Sequence, residues 1–238
     1  YRGVSLLVTN RLQIETLDYA SPGVYLKQVR VTPRRAELAV TVKLANHEQQ
    51  ASNPRVRTLI VASDGRIVEE TESNVRLESG ASGVIVQRLV IVRPHLWDGV
   101  RDPYLYQAYV EVYEQQVLQD SVSQPLGLRF FSVDANEGFF LNGKHLDLHG
   151  VTRHQDRLNK GWAISAADER EDFDMIRELG ATAVRFAHYQ HDQKDYELAD
   201  ERGLVIYTEI PYVNDTTASA GYTVFCCSRR KSWNTQPM

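Results

Sequence analysis

The chain has 238 residues, 42% of them apolar and 24% charged, a balance ordinary for a globular protein. A net charge of −4 and a pI near 6.0 give no electrostatic ground for nucleic acid or an anionic membrane as partner, and no apolar run approaches the roughly 20 residues that span a bilayer. The two cysteines, Cys226 and Cys227, are adjacent, which excludes a disulfide framework and offers no metal-ligand spacing.

The opening YRGVSLLVTN lacks the series of basic region, apolar core and small-residue cleavage site that marks a signal peptide. It has no initiator Met and begins inside a β-like run, so the natural chain is expected to start earlier and the compartment is not legible. From there to about residue 132 the grammar is that of strands. Val24–Val31 alternates, as does Leu38–Leu44, which puts Leu38, Val40, Val42 and Leu44 on one face. Val56–Ala62 and Arg66–Glu70 flank Asp64-Gly65, a two-residue hairpin signal. Val84–Val92 and Tyr104–Tyr113 add strands rich in β-branched and aromatic residues. Turn residues recur at intervals suited to about seven short strands and an immunoglobulin-like sandwich over 19–132. Residues 1–18 carry a separate reading, as the last strands of a domain that begins upstream.

Near Val133 the pattern changes. Asn142-Gly143 turns a short hairpin, and Leu146–Val151 reads as a buried run. Ser165-Ala-Ala-Asp168 opens a helix in the manner of a capping box. Phe173, Ile176 and Leu179 recur at helical spacing and Gly180 closes the helix. Ala181–Ala187 is a second strand, Asp192–Arg202 a second helix ending at Gly203, and Leu204–Glu209 a third strand. Strand, helix, strand, helix, strand at this spacing means βαβ units and a parallel sheet over 133–214. Residues 215–238 show neither period and read as an atypical tail with a basic SRRK cluster.

Parallel sheets bind ligands at the carboxyl ends of their strands. Arg153 and His154 follow the first run, and Arg185 and His188 sit at the second. Arg185 can orient a carboxylate or hydroxyl with its fixed charge, or form a structural salt bridge, with Glu209 the candidate partner. Arg153 reads as a brace for its loop. Trp162 follows a loop and reads either as a ring-stacking residue or as core, while His191, Tyr189 and Tyr212 receive no role. Gly150 is expected to permit close backbone packing at the strand end.

The runs GVTRHQDR, AVRFAHYQ and LADERGLVIYTE together resemble glycoside hydrolase family 2, and most closely its β-galactosidases. The linker LWDGVRDPYLY resembles that family's link into the last part of its sandwich, and YRGVSLLVTN the end of its preceding jelly-roll sugar-binding domain, placed here at 1–18. The resemblance implies a sandwich followed by the first part of a (β/α)8 TIM barrel. It implies a parent enzyme that cleaves terminal β-D-galactosides with retention. His154, Arg185 and His188 would bind substrate, with His154 and His188 on hydroxyls of the first sugar. Both catalytic glutamates of the family lie on later barrel strands, so none is assigned within 1–238 and this stretch alone is expected to be inactive.

Two positions depart from the family pattern, Thr182 for its Asn and Gln190 for its Pro. Members with a magnesium site place Glu and His where Val213 and Asp215 stand, so no metal and no cofactor is expected. The partners expected are a β-galactoside and, for the parent, further copies of itself in a homo-oligomer, with neither nucleic acid nor membrane. Competing readings are a non-catalytic carbohydrate-binding module, a chain completed by partner subunits, and a β-glucuronide or β-mannoside specificity.

Overall fold

Leu38, Val40, Val42 and Leu44 are all at most 1% exposed, so the alternation in this stretch is realised as one buried face. The computed structural model describes residues 4, 6–19 and 21–209. The expectations for Val213, Asp215, Tyr212, the adjacent cysteines and the tail 215–238 lie outside them. Two units divide the chain: Ser5–Leu96 with Tyr104–Arg129, and Trp97–Pro103 with the residues from Phe130 onward.

The first unit carries β1 (Leu12–Ile14), β2 (Val24–Thr32), β3 (Arg35–Asn46), β4 (Arg55–Val61), β5 (Ile67–Asn74), β6 (Ser82–Val92), β7 (Tyr106–Glu114) and β8 (Val117–Leu126). That is eight described strands against about seven expected. One antiparallel sheet has β3 between β2 and β6, with β1 also on β3; the other runs β5-β4-β7-β8. Leu12–Ile14, inside the stretch 1–18, pairs with Leu44–Asn46 of β3. Asp64-Gly65 makes the expected turn, with Gly65 at φ +85°. The core side chains meet an internal polar link: buried Gln87 on β6 donates to the Val56 carbonyl at 3.0 Å and accepts from Thr58 Oγ1 at 2.6 Å. A buried amide with partners at both ends avoids the cost of an unpaired polar group.

The second unit opens with an antiparallel set, β9 (Phe131–Asp134), β10 (Gly138–Leu141) and β11 (Lys144–His145), the last two joined by the Asn142-Gly143 turn. Then follow β12 (Gly150–Arg153), α1 (Ala166–Glu178), β13 (Ala183–Phe186), α2 (Gln193–Arg202) and β14 (Val205–Thr208). The three strands are parallel in the order β12-β13-β14. Ser165 forms a full capping box with Asp168, and α2 starts on the Asp192 cap and stops at Gly203 in the left-handed region. Phe173 and Ile176 of α1 and Leu198 and Ala199 of α2 pack on Val184, Phe186 and Ile206 of the sheet.

Three details differ from expectation. Leu146–Val151 is not buried: Leu148 is 44% exposed, and only Gly150–Arg153 is strand. The strand begins only at Gly150, so Leu148 lies before it, and Val151 is the residue of this run that packs on the core. Leu179 caps α1 and is 75% exposed, so the buried spacing of Phe173 and Ile176 does not extend to it. Gly150 is not the close approach, since a Cβ there would lie 3.5 Å from Ala183, an ordinary contact. In the second unit a close approach is instead found at Gly203, where φ is +77° and a Cβ would overlap the carbonyl of Gly99. This contact holds the segment 97–103 against the end of α2, and the buried Trp97 indole donates to the Asp200 carbonyl at 2.8 Å.

Under the strand ends lies a buried ionic clamp. Arg153 donates from Nη1 to Asp195 at 2.7 Å and from Nη2 to Asp172 at 2.9 Å. The Arg153 side chain is 5% exposed and Asp195 is fully buried. Asp172 belongs to α1 and Asp195 to α2, so one guanidinium fastens both helices to the end of β12.

Gly203→Ala is expected to destabilise the second unit by about 1–3 kcal/mol, through left-handed strain and overlap, while Gly150→Ala stays within about 0.5 kcal/mol. Urea unfolding of the two variants checks this contrast. Arg153→Met leaves Asp195 buried without its cation and should cost about 3–5 kcal/mol, against less for Asp195→Asn, which keeps a hydrogen-bonding side chain. Equal midpoints for Arg153→Met and the wild type would contradict the clamp.

Candidate functional site

Residues alternate at the end of β12: Arg153 is buried, His154 exposed, and Gln155 buried. Extended chain sends successive side chains to opposite sides, so the clamp residue and the site residue are sequence neighbours with opposite destinations. Gln155 donates to Glu169 at 3.1 Å and accepts from the Asp192 backbone N–H at 3.2 Å. Burial and the charge of Asp195 push the Glu169 carboxyl above its ordinary range, and the Gln155 bond pulls partly against them. These contacts fix where the chain turns after β12.

The next strand supplies Arg185, one residue before the end of β13, and His188 two residues after it. The third strand supplies Glu209, immediately after β14. Arg185 Nε donates to Glu209 Oε1 at 2.7 Å, and Nη2 lies 2.6 Å from the same oxygen. His188 Nδ1 lies 3.0 Å from the other oxygen, Oε2. Burial pushes the Glu209 carboxyl up, but the hydrogen bonds and charges of Arg185 and His188 outweigh it and hold the group below the usual glutamate range. Glu209 is therefore an anion at neutral pH, with an acceptor oxygen committed to each neighbour.

The His154 ring meets the His188 ring edge-on with centroids 5.2 Å apart. The three expected site residues, His154, Arg185 and His188, thus come together at the carboxyl ends of adjacent parallel strands. The salt bridge between Arg185 and Glu209, weighed as the structural reading of Arg185, is present. The Arg185 side chain is still 41% exposed and that of His188 is 47% exposed, so both remain open to a ligand.

Sequence reasoning missed what surrounds this group. Tyr189 accepts a hydrogen bond from the Gln155 backbone N–H at 2.9 Å, stacks on His191 at 5.1 Å and meets Trp162 at 4.9 Å. His191 is buried, stacks on Phe186 at 4.5 Å and joins the Ala187 carbonyl through Nε2 at 2.9 Å. Its i, i+4 spacing from Asp195, 3.3 Å away, was the one sequence signal available. Trp162 is 55% exposed and so is not core. At the two departures from the family pattern, Thr182 Oγ1 accepts from His149 N and donates to the Asp147 carbonyl, and Gln190 donates to Tyr196. Among the described residues no group of three His, Cys, Asp or Glu side chains is placed to hold a metal ion, and no helix is long and apolar enough to cross a membrane.

Comparison with known proteins bears on this arrangement. Residues 24–129 match the family model described as glycosyl hydrolases family 2, and residues 132–232 match the one described as glycosyl hydrolases family 2, TIM barrel domain. A Bacteroides fragilis protein named beta-glucuronidase is 42% identical over 214 residues, covering 90% of this chain and 30% of that protein. Beta-galactosidase BoGH2A of Bacteroides ovatus is 29% identical over 209 residues, covering 88% of this chain and 24% of its own length. The crystal structure of a Bacteroides uniformis beta-glucuronidase superposes with a TM-score of 0.84 at 26% identity, covering 88% of this chain and 26% of that one. The chain thus spans less than a third of the length of these relatives. Its β-sandwich, the start of a TIM barrel after it and both family matches agree, and the chain belongs to glycoside hydrolase family 2, a family of glycosidases.

Proposed function

We propose that His154, Arg185 and His188 form one wall of the site that receives the terminal sugar of a β-glycoside, in a parent enzyme that hydrolyses it with retention. The observation that carries this reading is the sharing of Glu209: one carboxylate holds Arg185 on one oxygen and His188 on the other, at the ends of adjacent parallel strands. Two side chains fixed in this way can meet sugar hydroxyls without first losing rotamer freedom.

Retention needs two carboxyl groups about 5–5.5 Å apart, one as nucleophile and one as acid then base. Glu209 suits neither role. A carboxyl held below its ordinary range has no proton to give at neutral pH, and both of its oxygens are already engaged. By family resemblance the working pair stands on later barrel strands, the acid/base near the fourth and the nucleophile near the seventh. Residues 1–238 therefore bind but do not cleave.

The sugar is a β-D-galactoside on the resemblance of the HQDR and AHYQ runs. A β-D-glucuronide is the second reading, favoured by the 42% identity to the Bacteroides fragilis protein of that name. The two differ in the C4 hydroxyl, axial in galactose and equatorial in glucuronic acid, and in the substituent on C5, a hydroxymethyl in galactose and a carboxylate in glucuronic acid. That carboxylate calls for a cation beyond Arg185, whose Nε and Nη2 are already turned to Glu209.

With 4-nitrophenyl β-D-galactoside or β-D-glucuronide, the 238-residue chain should release no nitrophenol above buffer. A clear rate, abolished by replacing a carboxylate within these residues, would overturn the assignment. In NMR titrations the methyl glycoside of the correct sugar should bind, and Arg185→Ala or His188→Ala should weaken it about 10-fold, the effect of one lost charged hydrogen bond. Glu209→Gln gives a separate reading through pH. Because the folded carboxyl is lowered, the wild-type stability advantage is fully present above the ordinary glutamate value of about 4.3 and is lost as pH falls through the lower folded value. Thermal unfolding of both proteins between neutral and acid pH measures that convergence.

A further inference from the structure

We propose that Trp162, backed by Tyr189, is a ring-stacking platform for the group attached to the terminal sugar, on the leaving-group side of the site. The inference rests on the sugar-site reading above and extends it to a second ligand ring. The shared chemistry recognised is an apolar ring face, whether the C–H face of a second sugar or an aromatic aglycone.

The first ground is continuity. From Glu209 the described side chains run in contact: His188 at 3.0 Å, His154 at 5.2 Å from His188, Tyr189 at 6.4 Å from His154, and Trp162 at 4.9 Å from Tyr189. The charged end of this row suits hydroxyls, and its far end is purely aromatic. Ligand sites commonly combine a few fixed polar groups with aromatic lining in this way.

The second ground is that an exposed indole is held in place. Burying a Trp is favourable, and a loop free to do so would turn the ring inward. Here the loop is fixed independently of the indole. Arg157 and Gly161 pair backbone to backbone at 3.0 and 2.9 Å, with Asn159 and Gly161 both at positive φ. The Arg157 side chain binds Asp172, Glu171 and Asp168, and Lys160 binds Asp168 at 2.7 Å. Ala163 N–H closes back on the Lys160 carbonyl at 3.1 Å, directly after Trp162. The loop is thus pinned to the start of α1, while the indole stays 55% exposed.

Tyr189 gives the platform its back. Its ring lies between Trp162 and His191, and its hydroxyl accepts from Gln155 N–H, so it cannot swing away without breaking that bond. A rigid aromatic surface gains a ligand ring at little entropic cost.

The test is an NMR titration of the 238-residue chain with three glycosides of the same sugar: methyl, phenyl, and a disaccharide with that sugar at its non-reducing end. The Trp162 indole N–H resonance is assigned by its loss in Trp162→Phe. The phenyl glycoside and the disaccharide should bind about two- to tenfold tighter than the methyl glycoside, the range expected of one aromatic stacking contact. Both should shift the Trp162 resonance, which the methyl glycoside should leave in place. Trp162→Ala should bring the three affinities together without changing that for the methyl glycoside, and Trp162→Phe should keep part of the preference. A larger gain from the phenyl ring identifies an aromatic leaving group, and a larger gain from the disaccharide identifies a sugar. Equal affinities for all three ligands in the wild type, or a preference that survives in Trp162→Ala, would overturn the platform while leaving the sugar wall standing. Absence of methyl glycoside binding would overturn the sugar wall, and the platform with it.

Discussion

A single guanidinium sets the frame of the second unit. Arg153 ends the first parallel strand and reaches Asp172 on one helix and Asp195 on the other. Three elements that the chain lays down separately are thereby tied at one buried point. Such a group is stabilising only while all its partners are present, since an unpaired charge in that place would be severely penalised. The cation also lies 5.4 Å from the Phe173 ring, so the clamp and the apolar core share one surface.

The site is built on that frame by alternation. At the strand ends one side chain goes down into the clamp or core and a near neighbour goes up. Arg153 goes down and His154 up; Phe186 goes down, while Arg185 before it and His188 after Ala187 stand open. Glu209 then gathers the upper set. The same residue types thus serve opposite purposes a few ångströms apart. Arg153 is spent on structure, whereas Arg185 is held by a partly exposed carboxylate and keeps a face towards solvent. Buried charge gives the site its rigidity, and half-exposed charge gives it something to present.

Much of the fold was legible because local chemistry and global fold agree. Ser165 with Asp168, and Asp192 with Gly203, announce the two helices by capping alone, and the structure uses all four. The alternation from Leu38 to Leu44 marks a buried face for the same reason. The misread stretches are those where the answer depends on what lies beside an element. Leu146–Val151 is apolar enough to be buried, but periodicity does not say where the strand begins, and Leu148 is left exposed. Gly150 and Gly203 look alike in sequence; only the fold shows that Gly99 approaches the second. The grouping of His154, Arg185 and His188 could be inferred from strand ends and family resemblance. The clamp partners of Arg153, 19 and 42 residues away, had no local signature.

The docking of Trp97 has a consequence for the order in which the chain matures on the ribosome. The segment 97–103 is emitted between two strands of the sandwich, yet the Asp200 carbonyl that receives the indole follows 103 residues later. Every element of the sandwich has been made by then. During synthesis the hydrogen bond to Asp200 and the approach of Gly203 to Gly99 can form only once α2 is complete. The cost of closing so long a loop rises only with the logarithm of its length, so the delay is thermodynamically mild. It nevertheless places the hydrogen bond from Trp97 to the last turn of α2 among the late contacts of the described chain.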